Sequence, residues 1–177
     1  MKFFYTTIAF LLMVVLPPVA WGQKVKVGYD QAVKFSKFHT YTWVKGFPAA
    51  QEKINSQIVT NIDQQLAAHG LKRTEGESDL HVSYAAGVDQ QFSYSPGAYV
   101  RGPNWRGFWG DWALTQPSGV LTGQILLELV EPASKQYVWQ ALVTDNISDS
   151  VRNNPDALMK KLSKMIEKLF TKFPETK

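Results

Sequence analysis

The sequence predicts an α+β fold, a two-layer sandwich in which one mainly antiparallel sheet carries two helices on one face. Several segments alternate apolar and polar residues with the period of two that strands show. Two longer segments repeat apolar residues every three or four positions, as amphipathic helices do. The segments follow the order β-β-α-(β)-β-β-β-α, and a single sheet with both helices on one face would bury all of their apolar stripes.

The predicted strands show this alternation or an enrichment in β-branched and aromatic residues. In the longest of them Ile125, Leu127 and Leu129 face one way, and Gly123 shares that face. A turn that begins at Pro132 joins this strand to the next one in a hairpin. The strands are predicted at residues 24–30, 39–44, 71–74, 80–88, 120–131 and 137–144.

Two helices are predicted from the apolar repeats. The first spans residues 49–69, with Pro48 in its first turn and Gly70 as a left-handed C-terminal cap. The second begins at Asn154, an N-cap residue followed by a proline and a carboxylate, and ends before Phe173. The buried stripes consist of Ile54, Ile58, Val59, Ile62 and Leu66 in the first helix and of Leu158, Leu162, Met165, Leu169 and Phe170 in the second.

Residues 1–22 have the features of a cleavable signal peptide. Lys2 gives a positive start, an almost wholly apolar run follows, and Ala20 and Gly22 are small residues at the −3 and −1 positions of a cleavage site. An uncleaved N-terminal anchor is the alternative, although the run is shorter than the roughly 20 apolar residues of a membrane span. We therefore expect export, with one domain over residues 23–177 and no membrane span after cleavage.

The composition narrows the classes of partner. The chain has no cysteine, so it can form no disulfide and cannot carry the lipid that some signals attach to a cysteine. Removal of Lys2 with the signal lowers the net charge from +4 to +3, far from the dense Lys/Arg stripe of a nucleic-acid binder. We expect a periplasmic protein without a lipid anchor and without a nucleic-acid partner, and leave association with the outer membrane open.

The segment from residue 90 to 118 is rich in Gly, Pro, Ser and aromatic residues and is predicted as a long loop inserted in the sheet. Large aromatic side chains in an exposed loop cost solubility unless they contact something. Trp faces suit sugar rings or peptides, Trp and Tyr suit membrane headgroups, and Trp, Tyr and Arg dominate protein binding hot spots. The candidate contact surface consists of Tyr94, Tyr99, Arg101, Trp105, Arg106, Phe108, Trp109 and Trp112.

A second interpretation of this segment is structural. A sheet with helices on one side leaves its other face uncovered, and the segment could fold back over that face and bury its own tryptophans. The sequence leaves both interpretations open.

The sequence contains no recognisable catalytic or metal-binding motif. His39, His69 and His81 are its three histidines, and no pair of them has the spacing of a metal site. A nucleophile elbow, a P-loop and a dinucleotide fingerprint are all missing. The carboxylates of residues 75–79 lack EF-hand spacing and are predicted in a solvated turn, where Asp79 sets the entry to the next strand. We expect no cofactor and no enzymatic activity.

Motifs along nearly all of the predicted domain resemble those of one bacterial family. The opening motif is the aromatic and β-branched run from Phe35 to Trp43, and Phe173 with Pro174 closes the pattern. The family is the domain of unknown function numbered 4136. The other matching positions are Leu66, Gly70, Leu71 and residues 79–84, 123–131 and 138–141.

The resemblance implies an envelope protein of a Gram-negative bacterium, in a family with many lipoproteins. It implies no catalytic residue, because none of the matched positions is an established one. This chain departs from the lipoprotein pattern, since its signal lacks the acceptor cysteine. A soluble periplasmic form is therefore expected.

These features predict a non-enzymatic periplasmic or envelope-associated domain that serves as a binding or accessory module. Its partner would be an envelope component: outer-membrane lipid, cell wall or an envelope protein. One alternative is an envelope structural protein that self-associates through the aromatic loop or an open sheet edge. Another is a hydrolase acting on cell-wall or lipid material, which would need a histidine within hydrogen-bond reach of a carboxylate or serine in a pocket.

Overall fold

A computed structural model describes residues 23–88, 99–107 and 122–175. Over these ranges the chain folds into one mixed, mostly antiparallel sheet with two main helices, the α+β class that the sequence predicts. The predicted signal peptide at residues 1–22 lies outside the described residues.

The elements follow the predicted order, with a few short additions. The main helices are α1 (Glu52–Ala68) and α3 (Pro155–Phe170), the four-residue helix α2 (Asp149–Arg152) precedes α3, and a 3-10 turn spans Phe35–Lys37. The strands are β1 (Lys24–Asp30), β2 (Thr40–Trp43), β3 (Lys72–Arg73), β4 (Leu80–Val88), β5 (Val100–Arg101), β6 (Trp105–Gly107), β7 (Thr122–Glu131) and β8 (Gln136–Asn146).

The sheet has the strand order β3-β2-β4-β7-β8-β1-β6, and β5 pairs with β8 beside this path. The four consecutive pairings from β4 to the edge strand β6 are antiparallel: β4 with β7, β7 with β8, β8 with β1 and β1 with β6. Strand β2 runs parallel to both β3 and β4, and β5 runs parallel to β8. The β7–β8 hairpin therefore lies at the centre, as its long apolar strands require.

Two local features differ from the sequence prediction. Strands β5 and β6 form within the segment 90–118, for which the sequence predicts an irregular loop. Helix α1 begins at Glu52, so Pro48 does not lie in its first turn. The reason is that Phe47 pairs with β4: its N–H donates to the Tyr84 carbonyl at 2.9 Å, and it accepts from the Ala86 N–H at 3.0 Å.

Two predicted helix ends are confirmed, the C-terminal end of α1 and the N-terminal end of α3. Gly70 has φ 84°, the left-handed conformation that ends α1 without the strain a side chain would bring. The Asn154 carboxamide oxygen accepts from the Ala157 N–H at 3.1 Å at the start of α3, and Pro155 occupies the first turn.

The main core lies between one face of the sheet and helices α1 and α3. Both predicted helix stripes point into it, and so do alternate residues of the central strands. Its residues with 1 % exposure or less include Tyr41, Ile58, Ile62, Leu66, Leu80, Val82, Ile125, Leu127, Leu129, Trp139, Met165, Ile166 and Leu169.

Asp63 fixes α1 to the edge of the sheet. Its Oδ1 accepts from the Tyr41 hydroxyl at 2.6 Å and from Trp43 Nε1 at 2.8 Å, while its Oδ2 pairs with Arg73 Nη1 at 3.1 Å. Burial and the Asp63 carboxylate both raise the pKa of the Tyr41 hydroxyl. Tyr41 and Trp43 of the 35–43 motif thus hold strand β2 against α1.

Candidate functional site

The sheet face opposite the helices carries a row of buried polar residues. Ser83, Glu128, Gln140 and Gly28 are direct cross-strand neighbours on β4, β7, β8 and β1. Gln140 Nε2 donates to Glu128 Oε1 at 2.5 Å, and the Ser83 hydroxyl donates to Glu128 Oε2 at 3.2 Å. Both oxygens of the buried carboxyl therefore have partners inside the protein.

Residues 99–107, which we call the strap, lie over this row. Arg101 donates from Nε and Nη2 to Gln140 Oε1 at 3.3 and 3.2 Å. Its guanidinium carbon lies 5.1 Å from the ring centre of Tyr137 and 5.7 Å from that of Trp105. Arg101 thus attaches the strap to β8 through its hydrogen bonds to Gln140 and its contact with the Tyr137 ring.

Trp105 rests on a glycine that leaves room for it. A Cβ added to Gly28 would come within 2.8 Å of the Trp105 ring carbon Cζ2. At the other end of the strap the Tyr99 hydroxyl lies 3.1 Å from His81 Nδ1. Small residues below and polar contacts at the ends position the strap on this face.

Burial governs the ionisation of Glu128, which is 2 % exposed. Desolvation raises the pKa of its carboxyl to about 7, although the hydrogen bonds from Gln140 and Ser83 and the charge of Arg101 act in the opposite direction. Burial also lowers the pKa of Arg101, against the opposing effects of Tyr137 and Glu128. Because the carboxyl is covered, its hydrogen bonds are made within the protein, and Gln140 links this row to the strap.

The structure therefore describes half of the residues predicted as a contact surface. Tyr99, Arg101 and Trp105 turn toward the sheet, which is the arrangement of the structural interpretation, whereas Arg106 is exposed and donates to Gln31 Oε1 at 3.1 Å. Tyr94, Phe108, Trp109 and Trp112 lie outside the described residues. A contact role for the segment stays a prediction.

Sequence reasoning missed Glu128, Gln140 and Ser83. The sequence does contain a signal for Glu128. Between residues 125 and 130 apolar side chains occur at alternate and at intervening positions of β7, so they point to both faces of the sheet. This pattern indicates a strand covered on both faces. A single carboxylate in such a run must be buried and needs hydrogen-bond partners.

The three histidines lie apart. His69 stacks at 5.8 Å on Phe170, and burial lowers its pKa. The backbone N–H of His39 donates to Asp79 Oδ2 at 2.8 Å, which confirms Asp79 at the entry to β4. Within the described ranges no three His, Asp or Glu side chains come close enough to hold a metal ion, and none of the helices there is long and apolar enough to cross a membrane.

A groove of about 570 Å³ opens on the helix side of the sheet. It lies at the C-terminal end of β4 and the N-terminal end of β7, far from the β7–β8 turn. Helices α1 and α3 run side by side in the same direction, since Asn61 Nδ2 donates to the Ser163 hydroxyl at 2.9 Å and His69 stacks on Phe170 near their C-terminal ends. The N-terminal halves of both helices form the walls of the groove, and Ala86 and nearby strand residues form its floor.

The lining of this groove is mostly apolar. Its walls and deeper parts are formed by aliphatic and methionine side chains, of which Ile54, Leu158 and Met159 are only partly buried. Its rim carries Gln51, Gln124 and the cations of Lys53 and Arg152. The volume is within the ~300–1,000 Å³ typical of small-molecule sites, and an apolar cavity with a few polar groups at one end is the usual form of such a site.

The fold is similar to that of two kinds of solved structure. The PelC dodecamer from Paraburkholderia phytofirmans has a TM-score of 0.51 and 12% identity, covering 85% of this chain and 96% of that one; a single-site variant in another crystal form has a TM-score of 0.50 and 14% identity, covering 85% and 95%. A PDZ domain protein from Parabacteroides distasonis has a TM-score of 0.58 and 18% identity, covering 88% of this chain and 37% of that one. At these identities the likeness is one of fold.

Among proteins with curated descriptions, none matches the sequence significantly. The family resemblance noted in the motifs is confirmed by a match over almost the entire folded region. The sequence model of the domain of unknown function DUF4136 matches residues 25–175, and the chain belongs to the DUF4136 family.

Proposed function

We propose that this chain is a non-enzymatic binding domain of the bacterial cell envelope that takes an apolar ligand in the groove between α1 and α3. The observation that carries the proposal is the groove itself, a cavity of about 570 Å³ at the N-terminal ends of both helices. Covering an apolar surface of this kind with a ligand is favourable by about 25 cal/mol for each Å² removed from water.

The test uses N-phenyl-1-naphthylamine, a neutral dye whose fluorescence rises in apolar surroundings. We expect saturable binding to the wild-type domain. Ala86→Phe should abolish it, because Ala86 lines the groove and a phenyl ring would occupy the space. Ala133→Phe makes the same change in the exposed β7–β8 turn and should bind as the wild type does. An absence of saturable binding to the wild type, or equal binding to Ala86→Phe that is shown to be folded, would overturn the proposal.

The envelope location is supported by the export features of residues 1–22. Expression of the full chain in a Gram-negative host should give a periplasmic protein whose N-terminal residue is Gln23. A protein found only in the cytoplasm with its first residues intact would contradict export, and a membrane-bound uncleaved chain would indicate the N-terminal anchor.

Self-association is a second candidate function, favoured by one observation. The PelC structures with the same fold are dodecamers. Sedimentation velocity of the domain across a wide concentration range separates the two functions, because self-association rises with protein concentration and ligand binding does not. A single monomeric species at every concentration would exclude this candidate.

A further inference from the structure

We infer that the ligand of the groove is a single-chain anionic amphiphile, a fatty carboxylate whose alkyl chain lies between α1 and α3 and whose head group meets the cations at the rim. This inference rests on the function proposed above and names the chemical class of the ligand. It follows from the shape, the lining and the charges of the groove.

The depth of the groove suits an alkyl chain. Ile58, Met165 and Ile125 at its bottom are each 1 % exposed, while Leu158 and Met159 higher in the wall are partly buried. Apolar lining therefore continues from the surface down to the core. Methionine side chains are flexible and adapt to chains of varied conformation.

The charged side chains that line the groove are cations. Among the described residues that line the groove, Lys53 and Arg152 carry charge and none is a carboxylate. Arg152 Nη2 pairs with Asp149 Oδ1 at 2.8 Å, but a guanidinium has five N–H donors, so this pair leaves donors for a second anion. A carboxylate head group would complement this rim, and a quaternary ammonium would be repelled by it.

The helix directions add to this preference. Gln51 is the N-cap residue of α1 and Pro155 is the first residue of α3. Both line the groove, so the positive ends of two helix dipoles lie at its rim. The Gln51 side chain makes no capping hydrogen bond to α1. The rim thus combines two side-chain cations with two helix N-termini. Glu52 and Asp156 in the first turns of α1 and α3 offset part of the helix dipoles, so Lys53 and Arg152 supply most of the preference for an anion.

The first experiment tests the chain. Octanoate, decanoate and dodecanoate are titrated below their micelle concentrations against domain loaded with N-phenyl-1-naphthylamine. Each added methylene should raise the affinity, measured as displacement of the dye, about fourfold until the alkyl chain is longer than the groove. An affinity that does not change with chain length would overturn an alkyl ligand.

The second experiment tests the head group. Dodecyltrimethylammonium has the chain of dodecanoate and the opposite charge, and we expect it to bind about tenfold more weakly or worse. Lys53→Gln and Arg152→Gln should each lower the affinity for dodecanoate about threefold and leave the affinity for the neutral dye unchanged. Lys172→Gln removes an exposed cation beyond the C-terminal end of α3 and should change neither affinity.

A variant at an exposed position guards against misfolding. Gln51→Glu places a carboxylate on the rim, is exposed, and suits a helix N-terminus. It should weaken dodecanoate and spare the dye. If the dye binds in the groove but dodecanoate and dodecyltrimethylammonium bind equally well, the inference of an anionic ligand is wrong and the proposed binding function stands. If the dye does not bind at all, both are wrong.

Discussion

Glu128 shows how a charged residue is accommodated at the centre of a sheet. Its neighbours along β7 are apolar on both faces of the strand, and its side chain is 2 % exposed. An isolated buried carboxylate would be strongly unfavourable, and the protein responds by providing two hydrogen-bond donors and a raised pKa of about 7. Near neutral pH the group is therefore partly protonated, and Arg101 approaches a carboxyl that is only partly charged.

This ionisation gives the domain a pH-dependent stability. The native pKa of about 7 exceeds the ordinary value of 4.5, so the folded state binds the proton more tightly than the unfolded chain. The contribution of Glu128 is fully present below the ordinary value and is lost as pH rises through the native pKa. We therefore expect the difference in unfolding free energy between Glu128→Gln and the wild type to change with pH. As pH rises from about 5 to about 8, this difference should shift by about 2–3 kcal/mol in favour of Glu128→Gln, measured by urea denaturation.

The control for this measurement is Glu75→Gln, which removes an exposed carboxyl in the turn before β4. It should keep the pH profile of the wild type. If the profiles of Glu128→Gln and the wild type remain parallel over the same pH range, Glu128 ionises in the fold as it does in the unfolded chain.

Asp79 joins the starts of β2 and β4. Its Oδ2 accepts from the backbone N–H groups of His39 and Thr40 at 2.8 and 2.9 Å and from the Thr40 hydroxyl at 3.0 Å. The hydrogen bond from His39 is the largest cause of its lowered pKa, helped by those from Thr40 and opposed by desolvation. The stabilisation from this carboxylate is therefore present above its unfolded pKa and is lost as pH falls through its native pKa.

We expect Asp79→Ala to lower the free energy of unfolding by about 2 kcal/mol near neutral pH, because two strand N–H groups lose a charged acceptor. Asp79→Asn retains one acceptor oxygen and should lose less. Urea denaturation near neutral pH provides the comparison. Equal stability of Asp79→Ala and the wild type would show that water replaces the carboxylate at no cost.

The strap illustrates a contact at the scale of an element. Arg101 connects it to Gln140 and lies near the rings of Trp105 and Tyr137. Arg101→Met keeps an unbranched apolar stem and removes the guanidinium with these polar contacts. The amides of Val100 and Trp105, which donate to Lys135 and Gly102 carbonyls, should then exchange with solvent about fivefold to tenfold faster.

The matched control is Arg106→Met on the same strap. Arg106 is exposed and bonds to Gln31 on the surface, so its loss should leave amide exchange nearly unchanged. Hydrogen exchange followed by NMR measures both variants. Similar acceleration in the two would mean that Arg101 is not what holds the strap.

The long elements were predictable because each carries its own periodic pattern. Strand β4 spans residues 80–88 as predicted, and α3 begins at the predicted cap. Strands β5 and β6 have two and three residues, too few for a period, and form because the rest of the sheet supplies partners. The groove could not be predicted, since the spacing between two helices depends on tertiary packing that no local pattern encodes.

The whole molecule uses the two faces of its sheet differently. One face packs against α1 and α3, which close together at their C-terminal ends and leave the groove at the other. The opposite face holds Glu128, and the strap lies over the polar row that contains it. Because the same strands β7 and β8 form both faces, loss of packing on the helix side should also release the strap.

Phe173 offers the test of this coupling. It is 9 % exposed and packs 5.1 Å from Trp139 on β8, 5.3 Å from Phe170 and 5.8 Å from Phe35 between ring centres. Phe173→Ala should lower the free energy of unfolding by about 3 kcal/mol through lost burial and a cavity.

The measurement follows two signals in urea, circular dichroism of the domain and hydrogen exchange of the strap amides. Phe173→Ala should lower the urea midpoint of both signals by the same amount, since one cooperative unit has a single midpoint. Lys172→Ala, at the exposed neighbouring position, should shift neither. Separate midpoints for strap and core would show that the strap unfolds independently of the sheet that it covers.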